Sequence, residues 1–451
     1  MKLVFIHGWS VTSTETYGEL PQVLAKLAPD ELSLDIEHIY LGRYISFNDV
    51  VTLDDISIAF EAARLRELGD EPFSVITHST GGPLIRSWLA RYYEHDLTAS
   101  PLKHMIMLAP ANHGSALAQL GKSRISRLKA WFNGVEPGQK VLDWLELGSD
   151  GQYQLNRQWL DWDLSSSGIY PFVFTGETID SALYDYMNSY TGEAGSDGVV
   201  RVCAANMNFV YSKLIQNNEL TCQSFDGECA HLFKLDEIKI PQQSCAFEVI
   251  PKASHSNKRL GIINSVTQRN AANKLVVQRI LSCLEVSSIS EYQQLSLLMF
   301  QTLSSRRGNA RYSMLVVRVC DNLGYSIDDF DLLLLSGDDY HAGTLPKGLI
   351  LDKQRNSVTG NVLSLYLDAN KLQKLKQGKL GIKLVARPDS GFSYYKSVEF
   401  HCTPDQVSQL LKPDQTTMLD LVIERYISLD TFSFAQIGDE PSFKDTSGDM
   451  L

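Results

Sequence analysis

Up to about residue 284 the chain alternates short apolar runs with longer segments whose apolar residues recur at helical spacing. KLVFI, LDIEHIYL, FSVIT, KHMIMLA, IYPFVFTG and CAFEVI predict strands. Between them ETYGELPQVLAKL, TLDDISIAFEAARLREL and GPLIRSWLARYYE predict helices, and a last helix is expected from about Arg259 to Cys283. Thr52, with Asp55 three residues on, reads as a helix N-cap. Strands alternating with helices imply βαβ units and a mostly parallel sheet covered on both faces. Ligands on such sheets sit beyond the carboxyl ends of the strands.

The remainder changes character. The segment SSISEYQQLSLLMFQTL predicts one more helix, and the polar SSRRGNAR reads as a linker. Beyond it YSMLVVRV, DFDLLLLS, NVLSLYLD, LGIKLVARP, FSYYKSVEF and TTMLDLVIERYISL are strand-like runs split by turn residues, with a hairpin expected at PDSG. A β-rich, sandwich-like C-terminal domain is the expectation. The division is therefore an α/β domain over 1–285 with an insertion at about 116–167, a helix and linker over 286–310, a β-rich domain over 311–437, and a polar, disordered tail over 438–451.

A chain of 451 residues suits two domains, since single cores stop growing near about 250–300 residues. A net charge of −12 argues against a nucleic-acid surface, which needs clustered Lys and Arg. No run approaches the roughly 18 apolar residues of a membrane span. MKLVFIHGWS lacks the features of a signal peptide, because His7 follows an apolar run of only four. The seven cysteines are odd in number and have no zinc-like spacing, so reduced thiols in a cytoplasm are expected. Four of them, Cys203, Cys222, Cys229 and Cys245, crowd one region, and a bridge among these would fit export without a cleavable signal. The carboxylates of DNLGYSIDDF and SGDD lack EF-hand spacing and read as solvated loops. No metal or organic cofactor is called for.

The chemistry centres on Thr77-His78-Ser79-Thr80-Gly81, between the strand FSVIT and its helix. These five residues match the nucleophile elbow G-x-S-x-G in all but the first position, and a helix N-cap is the bland reading of the same serine. Two further sites favour the elbow. His7-Gly8-Trp9-Ser10 ends the first strand, and a tight turn opened by Gly8 would offer the Trp9 amide, with that of Thr80, to a developing oxyanion. His255 lies on the loop after the last strand of the parallel sheet, where a base must enter to meet a serine at the carboxyl edge. The imidazole in turn needs a carboxylate. Asp197, in the turn-rich EAGSDGVVRV, is favoured over Asp180 and Asp226.

Residues 1 to about 283 resemble the α/β-hydrolases, and within them lipase-type members such as bacterial triacylglycerol lipases, the lecithin:cholesterol acyltransferase group and the GPI inositol-deacylase group. VFIHGWS, VITHSTGGPLIR, MIMLAPANHGS, GSDGVVRV and SHSNKRLGIINS carry the resemblance by their order. It implies a Ser79, His255, Asp197 triad with an oxyanion hole at Trp9 and Thr80, supported by His7, Gly8, Thr77, His78 and Gly81. Thr77 departs from the usual glycine, and the sheet starts without the usual preceding hairpin.

The insertion lies where such hydrolases carry a lid. Its segment ALAQLGKSRISRLKAWFNG sets Leu128, Trp131 and Phe132 among the residues of an apolar helical face, with Lys122, Arg124, Arg127 and Lys129 largely elsewhere. Trp144, Tyr153, Trp159 and Trp162 would add apolar area to a cap. A serine hydrolase of lipid-like carboxylic esters is the leading reading, with peripheral membrane contact through the basic helix. A non-catalytic lipid- or protein-binding module on the same fold, and a translocated membrane-damaging phospholipase, are the alternatives. No protein partner of the C-terminal domain can be read from the sequence.

Overall fold

The computed structural model describes residues 1–7, 16–45, 48–123, 138–179, 194–222, 229–305 and 310–428. Its first half runs β1 (Lys2–His7), α1 (Leu20–Leu27), β2 (Asp35–Tyr40), α2 (Leu53–Glu67), β3 (Phe73–His78), α3 (Gly81–Tyr93), β4 (Leu102–Leu108), α4 (Ala116–Ser123), α5 (Gln139–Leu145), α6 (Asp150–Trp159), β5 (Tyr170–Thr175) and α7 (Val202–Ala205). A hairpin of β6 (Val210–Thr221) and β7 (Ala230–Lys239) follows, then β8 (Ala246–Val249), α8 (Leu275–Leu284) and α9 (Ile289–Ser305).

Strands β1 to β5 and β8 form a parallel sheet in the order β2-β1-β3-β4-β5-β8. The order turns back between β1 and β3, so the crevice expected of such a sheet opens at their carboxyl ends, beside His7 and Ser79. All six residues of β5 are buried, because both faces of the sheet are covered. Leu3, Phe5 and Phe172 pack with residues of α1, α8 and α9 on one face; Val4, Ile6 and Val75 pack with α2 and α3 on the other. The start of α2 is the expected capping box: Thr52 Oγ1 accepts from the Asp55 amide, and the Asp55 carboxylate accepts from the Thr52 amide.

The second sheet has nine strands in the order β10-β13-β15-β7-β6-β16-β9-β12-β11, with β9 (Tyr312–Asp321), β10 (Phe330–Ser336), β11 (Ile350–Arg355), β12 (Val362–Asp368), β13 (Leu380–Ala386), β15 (Val398–Cys402) and β16 (Thr416–Ile423). A small pair, β14 (Ser393–Tyr394) with β17 (Tyr426–Ile427), stands apart. The C-terminal region is β-rich as expected, but it is one mixed sheet, and its centre is the β6–β7 hairpin from the first half of the chain. β6 runs parallel to β16, with Val210 beside Thr417, and β7 runs parallel to β15. Residues 1–285 thus supply strands to both sheets.

Two more expectations are corrected. The helix expected from Arg259 begins only at Leu275, because asparagine side chains capture the backbone ahead of it. Asn257 Oδ1 accepts from the amides of Arg259, Leu260 and Gly261, and Asn270 Oδ1 from Thr267. The aromatics expected in a cap are packing residues. Trp159 and Trp162 are 3% and 6% exposed in a core that also holds Tyr312, Met314, Tyr366 and Met418 of the second sheet. Tyr153 Oη, half-buried, donates to Asp420, and a Cβ on Gly148 would stand 2.4 Å from Val362 Cγ1. The described part of the insertion is therefore a wedge between the two sheets. Leu128, Trp131 and Phe132 lie outside the described residues, as does the 438–451 tail.

Candidate active site

Ser79 sits at the turn from β3 into α3 with φ of +54°, a left-handed conformation that costs a side-chain-bearing residue about 1–2 kcal/mol. The surroundings impose it. The Ser79 amide donates to Leu108 O at 3.0 Å, and its carbonyl accepts from Gly82 at 3.2 Å and Ala111 at 3.3 Å. Gly81 must stay small because Thr77 replaces the usual glycine: a Cβ on Gly81 would stand 3.0 Å from that of Thr77. Gly82 is tighter still, with Pro110 Cβ 2.5 Å from where its own Cβ would be. The elbow thus tolerates Thr77, and its serine remains half-exposed at the head of α3.

His255 reaches this serine from the loop after β8. Its Nε2 accepts from Ser79 Oγ at 3.1 Å, and its Nδ1 donates to Asp197 Oδ2 at 2.9 Å. His255 and Asp197 are 2% and 1% exposed, so both side chains are shielded from water while Ser79 is half-exposed. The two loops are also joined through backbone: the His255 amide donates to Asp197 O at 2.9 Å. Two amides, of Val199 and Val200, donate to Asp197 Oδ1 at 2.9 and 2.8 Å, which fixes the carboxylate's rotation and leaves Oδ2 for the imidazole. Positive φ at Gly195 (+76°) and Gly198 (+98°) lets the chain fold tightly around it.

The neighbouring histidines are arranged rather than reactive. His78 Nε2 donates to His255 O at 3.1 Å, and the two rings lie 4.6 Å apart between centroids. Burial and the adjacent His255 hold His78 far below the ordinary histidine range, so it stays neutral. His7, at the end of β1, is pushed down to about 4 by burial and by His38, whose Nδ1 lies 2.9 Å from His7 Nε2. Thr80 stands at the N-cap of α3, directly after Ser79. Gly8 and Trp9 lie outside the described residues, as do Asp180 and Asp226.

What the sequence did not announce is the hold of the second sheet on the Asp197 loop. Tyr366 Oη, on β12, donates to Ala194 O at 2.9 Å, and Arg201 pairs with Asp352 of β11. Behind the elbow, fully buried Arg86 of α3 donates to Asn112 Oδ1, Asn156 Oδ1 and Leu155 O, tying the APANHGS segment to α6. With neutral partners around it, burial lowers the guanidinium to about 9. No group of three or more His, Cys, Asp or Glu able to hold a metal occurs among the described residues, and no described helix is long and apolar enough to cross a membrane. Cys222 and Cys229 are joined in a disulfide, one bridge within the crowded four, while Cys203 and Cys245 are buried thiols.

Comparison with solved structures finds phospholipase PlaB from Legionella pneumophila at 40% identity and a TM-score of 0.87, over 98% of this chain and 97% of that one. The same enzyme in complex with thio-NAD matches at 39% identity and a TM-score of 0.87, with the same coverage. The lipase BlEst2 of Bacillus licheniformis matches at 22% identity and a TM-score of 0.35, over 46% of this chain and 78% of that one. No family model and no curated protein matches the chain. Near-complete coverage at such identity extends to both sheets and to the wedge between them, and on that ground the chain belongs to the α/β-hydrolase family of phospholipase PlaB and is a carboxylic ester hydrolase.

Proposed function

We propose that the chain hydrolyses the carboxylic ester bonds of phospholipids through an acyl-enzyme on Ser79, with His255 as general base and acid and Asp197 as its orienting carboxylate. The observation that carries this reading is the unbroken chain of contacts from Ser79 Oγ to His255 to Asp197, at 3.1 and 2.9 Å, on a strained elbow. The phospholipid substrate is taken from the name of PlaB.

In the first step Ser79 Oγ attacks the ester carbonyl while its proton passes to His255 Nε2. The imidazolium formed is stabilised by Asp197, which is already oriented and need not move. Charge builds on the former carbonyl oxygen, and the Thr80 amide at the start of α3 is one donor for it. Trp9 is the second donor expected from the sequence. His255 then protonates the leaving alcohol, the acyl group stays on Ser79, and water activated by the same imidazole releases the fatty acid.

The basic stretch with Lys122, Arg124, Arg127 and Lys129 supports peripheral contact with anionic lipid surfaces. A cytoplasmic location is one reading, in keeping with the buried thiols of Cys203 and Cys245. The Cys222–Cys229 bridge favours the alternative, export to an oxidising compartment. The test of the central reading is fatty-acid release from phosphatidylglycerol and phosphatidylcholine vesicles. Release by the native chain and a loss of at least about 10⁴-fold in Ser79→Ala are expected. Release that survives in Ser79→Ala, or cleavage confined to short soluble esters, overturns it.

A further inference from the structure

The loop that carries Asp197 is held at both ends by the second sheet. On its entry side Tyr366 Oη donates to Ala194 O at 2.9 Å and stands 3.3 Å from Gly195 O. Backbone lies directly on the rings here: a Cβ on Gly195 would be 2.2 Å from Tyr312 Cδ2 and 2.6 Å from Tyr366 Oη. Tyr312 and Tyr366 stack with centroids 5.1 Å apart. On the exit side the Arg201 guanidinium lies 4.2 Å over the Tyr366 ring and donates to the Asp352 carboxylate, with 2% and 11% of the two side chains exposed. Between these anchors the loop closes on itself, Val202 N donating to Gly195 O at 2.9 Å and Asp197 N to Val200 O at 3.2 Å.

We propose that Tyr366, Arg201 and Asp352 form a clamp that positions the carboxylate of Asp197, so that the second sheet sets the rate of ester hydrolysis and not merely the stability of the chain. The proposal rests on the reading of Asp197 as the orienting acid. The link from clamp to chemistry is short. Asp197 Oδ1 is fixed by the amides of Val199 and Val200, inside the clamped loop, so a shift of that backbone turns Oδ2 away from His255 Nδ1. Small displacements of an orienting group are costly, because the imidazole must present Nε2 to the serine in one direction only. The three residues touch neither substrate nor the reacting atoms; they are positioning residues.

The experiment is a double-mutant cycle between Tyr366→Phe and Asp197→Asn in the full chain, with a p-nitrophenyl ester as substrate and the melting temperature followed alongside. Tyr366→Phe keeps the ring stack and the contact with Arg201 and removes only the hydroxyl. The clamp predicts that it lowers kcat about tenfold while KM stays within about twofold, and that it causes no further loss in the Asp197→Asn background. A purely structural hydroxyl predicts an unchanged kcat, or equal losses in both backgrounds, and either result overturns the proposal. If Asp197→Asn itself leaves kcat intact, the triad reading fails first, and the clamp with it. If Asp197→Asn is crippled and Tyr366→Phe is not, the clamp fails and the triad stands. Should Tyr366→Phe not fold, the isosteric Asp352→Asn carries the same cycle, and restoration of rate by Arg201→Lys relative to Arg201→Met is the expected companion result.

Discussion

The two sheets are assembled by opposite routes. In the parallel sheet β1 pairs with β2 and β3 with β4 across one α-helix each, and β1 to β4 are laid down within the first 108 residues. In the second sheet β6 pairs with β16, so that Val210 meets Thr417, and β7 meets β15. Loop-closure entropy makes such distant pairing slow to form, and it produces a sheet that cannot be completed until both ends of the chain are present. The local sheet supplies Ser79 and His255 at one edge. The non-local sheet reaches back to the loop of Asp197, and a shared core with Trp159, Tyr312 and Tyr366 joins the two. On the proposed reading, chemistry is written locally and its alignment globally.

The largest effect should come from breaking the local half alone. His255→Ala should lower kcat by about 10⁴-fold or more while leaving both sheets folded, seen as an unchanged far-UV circular dichroism spectrum and a melting temperature within a few degrees. A collapse of the fold instead would make His255 a structural residue. Next is the layer between the sheets. Arg86→Met strands Asn112 Oδ1 and Asn156 Oδ1 in a buried site, and a loss of about 2–4 kcal/mol by urea denaturation is expected. A cost under about 0.5 kcal/mol would mean that the layer does not couple the sheets through this side chain.

Gly195→Ala attacks the contact between the halves, since the new Cβ meets Tyr312 and Tyr366 and the backbone has φ of +76°. It should cost about 1–3 kcal/mol and also lower kcat, the two effects appearing together. The last effect is acid sensitivity, absent near neutral pH and felt only as the pH falls. His7 and His113 are held near 4 and 3 by burial, below the 6.5 of an unfolded histidine. The unfolded chain therefore binds more protons, and the stability that neutral burial contributes is whole above about pH 6.5 and lost as the pH falls toward 4. Each such histidine should cost about 2 kcal/mol at pH 5, and His7→Gln should flatten the decline. An equal slope in that variant would remove His7 from the account.

Legibility followed the same division. The three side chains that meet at Ser79, and that are proposed as nucleophile, base and acid, are each marked by residues adjacent in sequence: small groups around Ser79, turn formers around Asp197, and a loop between strand and helix for His255. The Thr52 capping box was visible for the same reason. The β6–β7 hairpin escaped although VYSKLIQ and HLFKLDEIK alternate as strands should, because its partners lie in the other half of the chain. Trp159 and Trp162 read as cap residues because apolar spacing does not say which surface covers a helix. Tyr366 and Asp352 carried no local signal at all, since what they touch is about 150–170 residues away.

The most direct test of the account is the site of covalent modification. Native protein treated with a fluorophosphonate and analysed by mass spectrometry should carry one adduct, on the peptide containing Ser79, and the adduct should disappear in Ser79→Ala and form far more slowly in His255→Ala. An adduct on another serine, or none on protein that cleaves phospholipid vesicles, would contradict it.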